Sequence, residues 1–443
     1  MNLTSIQGNI LKGHGRDHLA LVFVQFGGDP AKTRAWLSAL VTPPAVPDPN
    51  ALVVTTHAEQ MAQRAAYLSA GTQSLFVNLF LTKSAYTKLG ATPPSDPRFQ
   101  AGAKAAAGLL KDPPVPQWEA PFQSDIDALL LLANDHQQHL AASIAAASAA
   151  VATAGGTVLF VQHGDAVRND DNNHVEHFGY VDGRSQPIFL AEDLLNEARD
   201  GDGIDSWNPG QDAFNVVLVS DALAADPKAF GSYFVFRKLE QNVRLFKETE
   251  GALAGSLGLS GAAAERAGAM AVGRFEDGTP VLLRPHDGLN DPVANDFTYK
   301  RDPAGSRCPF HAHTRKMNPR DGSEQPHLIA RRGIPFGHRN ADLSDRPEAG
   351  VGLLFMCFQQ DLARQFEFLQ TLWANNESFP APGTGADPVI GQTGGVPPQP
   401  QSWPTEYGND APTARRKFDF VGFVTMKGGE YFFCPSVTGI KKL

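Results

Sequence analysis

Residues 308–320, CPFHAHTRKMNPR, set His311 and His313 two positions apart behind a Cys-Pro and follow them with Arg315, Lys316 and Arg320. Two imidazoles so placed are a metal pair, one ligand with a bystander, or two polar residues at a helix start. In a strand both rings face one side; in a helix they lie about 200° apart and only one reaches a given ion. The residues after His313 are more helical than extended in character, which favours a single ligand. No cysteine or carboxylate stands nearby at zinc spacing. A lone histidine ligand is characteristic of haem, where the macrocycle supplies four nitrogens and the protein an axial one.

Two further polar clusters lie between apolar elements. EHFGYVDGRSQP (176–187) holds His177, Asp182 and Arg184 between turn-forming glycines, and LIARRGIPFG (328–337) sets Arg331 and Arg332 where an apolar run meets a glycine. A guanidinium that turns inward there needs an anion or carboxylate partner. Haem gives these groups work, since its propionates call for positive charge and hydroxyl donors. Its open face needs a proton acceptor if peroxide is to be split, and a cation to stabilise developing negative charge. Asp182 and Arg331 are candidates for those two roles. Taken alone, the GxxDG turn is also what Asp and Gly form for backbone reasons.

These clusters must be positioned by a chain of 443 residues, more than one core usually serves, so two domains around a shared cleft are expected. HLALVFVQFG (18–27) reads as a strand, followed by a helix over 29–40 with Asp29 as cap and Pro30 in its first turn. SLFVNLFL (74–81), DALLLLAND (127–135) and GTVLFVQHG (156–164) read as strands, with an Ala-rich helix over 136–153. The order β-α-β-β-α-β is ferredoxin-like. A second series follows residues 200–214: strands over 215–219, 232–241, 352–360, 418–424 and 431–435, and helices near 261–271 and 361–375. It repeats the first with longer inserted loops. The expectation is an α+β fold of two ferredoxin-like domains, 1–205 and 206–443, with antiparallel sheets. The Gly- and Pro-rich stretch 376–411 should cover a surface or cleft mouth.

A formal charge of -9 argues against an extended phosphate-binding surface, so nucleic acid is excluded as a partner while a local basic pocket remains allowed. No stretch is long and apolar enough to span a bilayer, and the first residues carry no signal-peptide pattern. Cys308, Cys357 and Cys434 follow no zinc spacing and cannot all pair, which fits inert thiols in a reduced, cytoplasmic compartment.

In these segments the chain resembles the dye-decolorizing peroxidases. Gly179-Tyr180-Val181-Asp182-Gly183 matches the family's GxxDG motif, the segment 308–320 its proximal-histidine stretch, and Arg331 of RRGIPFG its distal arginine. IQGNILKG near the N-terminus and GGEYFFCPS near the C-terminus also resemble family segments, so nearly the whole chain is covered. The resemblance implies two ferredoxin-like domains with haem b between sheet and helices. It assigns the iron ligand to His313, leaving His311 an extra histidine. The implied activity is reduction of hydrogen peroxide via a ferryl intermediate and oxidation of dyes, phenols or similar donors. Leu353 and Phe355 resemble the apolar residues that crowd the distal face, and Asp419 is the candidate proximal carboxylate that receives the second imidazole proton. A pocket so narrowed admits peroxide but excludes a polycyclic dye, so Trp373, at the end of QFEFLQTLWANN, is the candidate relay for electrons from bulky donors. Trp403 is expected in a flexible loop. The alternative functions for the same pocket are a haem-modifying or iron-releasing protein, or a non-catalytic haem carrier or sensor.

Overall fold

The computed structural model describes residues 1–197, 207–340 and 342–443. Strand β1 (His18–Gln25), helices α1 (Pro30–Ala39) and α2 (His57–Ala70), strands β2 (Phe76–Leu81) and β3 (Ala128–Asn134), helix α3 (Gln137–Thr153) and strand β4 (Thr157–Asp165) form the first half. Asp29 caps α1 by accepting from the amides of Ala31 and Lys32, as its position implies. Helix α2 was not legible as an element between the expected strands. It carries a capping box, with Thr56 and Glu59 satisfying each other's backbone amides.

The second half contributes β5 (Phe230–Gln241), helices α4 (Val243–Ser256), α5 (Glu265–Val272) and α6 (His313–Met317), and the short strands β6 (Ala330–Arg331) and β7 (Ile334–Phe336). It continues through β8 (Gly352–Gln359), the π-helical turns Ala363–Glu367 and Leu369–Ala374 that we call α7, and β9 (Gln401–Pro404), β10 (Arg415–Phe418) and β11 (Val424–Cys434). Two expected strands are corrected. Residues 215–219 open as a helical turn, Ala213–Val216, because Asp212 caps it through the Phe214 amide. Residues 418–424 are mostly irregular: Phe420 donates its amide to Gln401 Oε1, and Gly422 takes a φ of 91°.

The main sheet runs β7-β8-β5-β11-β2-β3-β1-β4. Within the first half the order is fourth, first, third, second strand, and the second half repeats it with β6 and β7, which both pair with β8, in the place of its second strand. Each half is thus a ferredoxin-like unit, and all the pairings are antiparallel. The halves join where Phe433 of β11 pairs with Leu81 of β2. At the far ends β4 meets β7: a Cβ on Gly164 would lie 2.6 Å from Ile334 Cγ2, so the curved sheet nearly closes on itself. The expected boundary at 205/206 lies outside the described residues.

Both faces of the sheet are covered. Leu19, Leu21 and Phe23 of β1 belong to one core, and Ala20, Val22 and Val24 to the other. This explains why such strands read as unbroken apolar runs. Cys308, Cys357 and Cys434 are buried and unpaired. No helix among the described residues is long and apolar enough to cross a membrane.

Candidate active site

Several elements of the second half, α6, β8 and α7 among them, and the GxxDG segment that follows β4 enclose a cavity with about 1810 Å³ of space free of protein atoms, part of it open to solvent. Its walls include Asp182, Arg184 and Ser185 from the GxxDG segment, His313 and Met317 from α6, Leu353 and Phe355 from β8, and Phe366 and Leu369 from α7. Helical turns of the π type recur at functional sites, and here they turn Phe366, Leu369 and Gln370 toward the cavity.

The GxxDG turn is held from several sides. Gly179 and Gly183 adopt φ of 99° and 88°, which favour glycine, and the Asp182 amide donates to His174 O at 2.9 Å. Asp182 Oδ1 accepts from Arg331 Nη1 at 3.1 Å, while Arg331 Nη2 donates to Arg184 O at 2.8 Å. The Arg331 amide donates to Gln186 Oε1, so the arginine is tied three times to the segment that carries Asp182. Arg332 faces away, as alternation along a strand requires, and donates to Asn9 O and Ile10 O in the IQGNILKG segment. Alternation also selects Leu353 and Phe355, which face the cavity while Leu354 and Met356 are fully buried.

His177, singled out by sequence, is not part of this wall. Its Nε2 lies 2.8 Å from Phe336 O, and burial lowers its pKa to about 4, so it is a neutral staple to β7. Glu176 does line the cavity, half-buried, accepting from the amides of Phe178 and Tyr180 and from Gln241. Burial raises its pKa to about 7.

His313 opens α6, and its Nδ1 is 2.9 Å from Asp387 Oδ2. Asp387 is fully buried, and its Oδ1 accepts from the amides of Val389 and Ile390 at 2.8 and 2.9 Å. Burial opposes its ionisation, but His313 and those two amides outweigh it and hold the carboxyl below its usual range. Asp419, expected in this role, is corrected: it lies exposed just beyond β10, and the His313 bond goes to Asp387. Asp387 sits in GADPVIG, inside the Gly- and Pro-rich stretch that reads as surface cover, and only its place before a proline marks it. With Nδ1 engaged, Nε2 is the nitrogen left for a metal.

His311 turns elsewhere. It is buried against Trp403, with ring centroids 4.2 Å apart, and burial together with Lys316 and Arg415 pushes its pKa well below the ordinary value. Trp403 is also corrected. It is fully buried in β9 and donates Nε1 to Phe418 O at 3.0 Å, so it does not sit in a flexible loop. Trp373 is buried as well, stacked on Phe379 at 4.7 Å and packed edge-on against His327, a cavity residue, at 5.6 Å.

A cluster that sequence reasoning left unassembled stands beside the cavity. Arg320 Nη2 donates to Ser185 Oγ and Asn295 Oδ1 at 2.6 and 2.7 Å, and Arg274 approaches the same pair at 3.5 and 3.4 Å. Trp207 and Phe297 cover Arg320 at 3.9 and 4.0 Å. Burial lowers the two guanidinium pKa values to about 9 for Arg274 and about 10 for Arg320, and at Arg274 the charge of Arg320 adds to that lowering. Among the described residues no carboxylate bonds to either. Two buried cations that share neutral acceptors and otherwise donate to backbone carbonyls carry positive charge that an anion at the cavity would offset.

A largely apolar cavity wall, one imidazole with a free nitrogen and a nearby double cation fit iron protoporphyrin and its propionates. Comparison with known proteins agrees. Residues 5–163 match the family model for the DyP dimeric alpha+beta barrel domain, and 276–380 match the model for the C-terminal part of Dyp-type peroxidases. The chain is 46% identical to the multifunctional dye peroxidase DyP2 of an Amycolatopsis species, over 100% of this chain and 96% of that one. The solved structure of that DyP2 superposes with a TM-score of 0.89 at 43% identity, covering 100% and 96% of the two chains. A DyP-type peroxidase of Anabaena gives the same TM-score at 36% identity, covering 99% and 94%. The chain belongs to the dye-decolorizing peroxidase family. It is a haem b oxidoreductase that uses hydrogen peroxide and an organic reducing substrate.

Proposed function

We propose that His313 binds the haem iron through Nε2, that Asp182 and Arg331 act on peroxide, and that Arg274, Arg320 and Ser185 receive the propionates. The observation that carries this reading is the pairing of Asp182 with Arg331 in the wall of the same cavity that His313 enters. When bound, the haem supplies the two-electron reduction of peroxide. Asp182 takes the proton from one peroxide oxygen and returns it to the departing one. Arg331 offsets the negative charge that builds on that oxygen, and its bond to Arg184 O keeps it aimed there. Asp387 accepts the Nδ1 proton of His313 and makes the ligand more basic. Leu353 and Phe355 make their part of the cavity wall apolar and limit what reaches Asp182.

The donors on this reading are dyes, phenols and similar compounds too bulky for the cavity. Electrons from them pass through protein, with Trp373 as a relay. Its burial argues that a donor docks against the half-exposed Phe379 or Phe368 beside it and not on the indole itself. The division into units 1–205 and 206–443 is supported by the repeat of strand order in the two halves. Unpaired, buried thiols support a reducing, cytoplasmic setting. An absorption spectrum of the purified protein before and after one equivalent of peroxide tests the reading. A haem spectrum that converts to an oxidised form and returns on adding a phenol is expected. A haem spectrum that stays unchanged would identify a passive carrier, and progressive loss of the haem bands an iron-releasing or haem-modifying protein.

A further inference from the structure

Lys316 is the third residue after His313, on the same short helix, and among the described residues no carboxylate hydrogen-bonds to it, although the charges of Asp387 and Glu377 act on it from nearby. It is 1% exposed, and its ammonium donates to three backbone carbonyls: Asn376 O at 2.9 Å, Phe379 O at 2.7 Å and Gly385 O at 2.7 Å. Three donors meeting three carbonyls satisfy a buried ammonium fully, and each loss would leave a buried polar group unpaired. The acceptors lie along one stretch, which ends two residues before Asp387.

This arrangement bears on the bond between His313 and Asp387. Among the described residues, the hydrogen bonds that join helix 313–317 to residues 376–387 are the three from Lys316 and the His313–Asp387 bond itself. The loop is otherwise tied to different elements: the Asp387 amide donates to Ala374 O, and Gln401 donates to Ala386 O. Asp387 Oδ1 is committed to the amides of Val389 and Ile390, which fixes the carboxylate's rotation within its own loop. What remains to be fixed is the distance from that loop to the imidazole, and Lys316 is the side chain that spans it.

We propose that Lys316 is a positioning residue that sets the strength of the His313–Asp387 hydrogen bond, and through it the basicity of the iron ligand. The inference rests on the reading of His313 as that ligand. A stronger bond to Asp387 gives the imidazole more anionic character and favours the higher oxidation states of the iron. Lys316 touches neither haem nor substrate in this role; it holds the acceptor's loop at bonding distance from the donor's helix.

The test is resonance Raman spectroscopy of the reduced holoenzyme, which reads the iron–histidine stretch directly, together with the reduction potential. Asp387→Asn should lower the stretching frequency and raise the potential. Lys316→Met, which keeps the stem and removes the three donors, should move both in the same direction by a smaller amount. Added to Asp387→Asn, it should produce no further shift, because the bond through which it acts is already gone. Should Lys316→Met not hold haem, Lys316→Gln, which keeps one amide donor group, provides the same reading with a smaller expected shift. An unchanged frequency in a haem-loaded Lys316 variant, or a shift that persists in full in the Asp387→Asn background, overturns the inference. Absence of an iron–histidine band in the wild-type protein would instead overturn the ligand reading, so the two failures are distinct.

Discussion

On the wall that carries Asp182 and Arg331, the paired side chains are 31% and 30% exposed, and the turn beneath them is shaped by two left-handed glycines. On the wall that carries His313, Asp387 is 0% exposed and Lys316 1%, and every polar atom of that pair named above meets a protein partner. The contrast follows from what each side must do. On the proposed reading peroxide and protons have to reach Asp182, which agrees with the partial exposure of that pair, and three ties from Arg331 fix its aim. Nothing has to reach Asp387, so its carboxylate is sealed, and the low local dielectric strengthens its bond to the imidazole.

The contrast can be broken most severely at the ligand. His313→Ala should lose most of its haem, whereas His311→Ala, which alters a ring packed on Trp403, should keep both haem and turnover. The ratio of haem to protein absorbance decides between them, and equal occupancy in the two variants would sink the assignment. On the exposed wall, Asp182→Asn keeps size but removes the proton acceptor, so the reaction with peroxide should slow by roughly 10²-fold or more, with haem retained. Arg331→Leu should slow it as well. Stopped-flow traces matching the wild type in both would refute their roles.

The sealed wall is sharpened by comparing two aspartates. Asp387→Asn should raise the reduction potential of the iron, while Asp419→Asn, altering an exposed residue beyond β10, should leave it unchanged. A shift of equal size in both would restore Asp419 as the partner. A smaller effect concerns pH. Burial raises Glu176 to about 7, so it holds its proton below that value and adds a negative charge to the cavity above it. Reduction of the peroxide oxygens to water consumes protons, and turnover should therefore be faster in mildly acidic buffer and fall as pH rises through about 7. In Glu176→Gln that fall should flatten, which a rate profile with haem absorbance monitored at each pH will show. The mildest change is Trp373→Phe, which preserves most of the stack on Phe379. It should reduce oxidation of bulky dyes and leave the peroxide reaction intact; dye turnover equal to wild type would remove Trp373 as relay.

Much of this site is written locally. The GxxDG turn, the doublet Arg331-Arg332 and the alternation Leu353, Phe355 are short-range patterns whose geometry is set by glycine freedom and the two-residue period of a strand. The same holds for β1, α1, β3 and α3, where apolar runs and caps define the element without reference to the rest. The carboxylate facing His313 was misread because 74 residues separate the pair and both Asp387 and Asp419 are polar residues in Gly- or Pro-flanked irregular chain. Trp403 was misread for the same reason: composition marks 376–411 as loop, and only packing shows β9 buried beneath His311.

By itself, then, the sequence determined the two ferredoxin-like halves and the residue types able to hold haem and split peroxide. Tertiary structure alone decided which carboxylate receives the His313 proton, which cations gather at Ser185 and Asn295, and that Lys316 bridges the helix and the loop. The division has a physical cause. Periodicity and turn chemistry act over a few residues and leave a trace in every local window. A hydrogen bond between distant segments depends on where the sheet places both of them, and no local window contains that information.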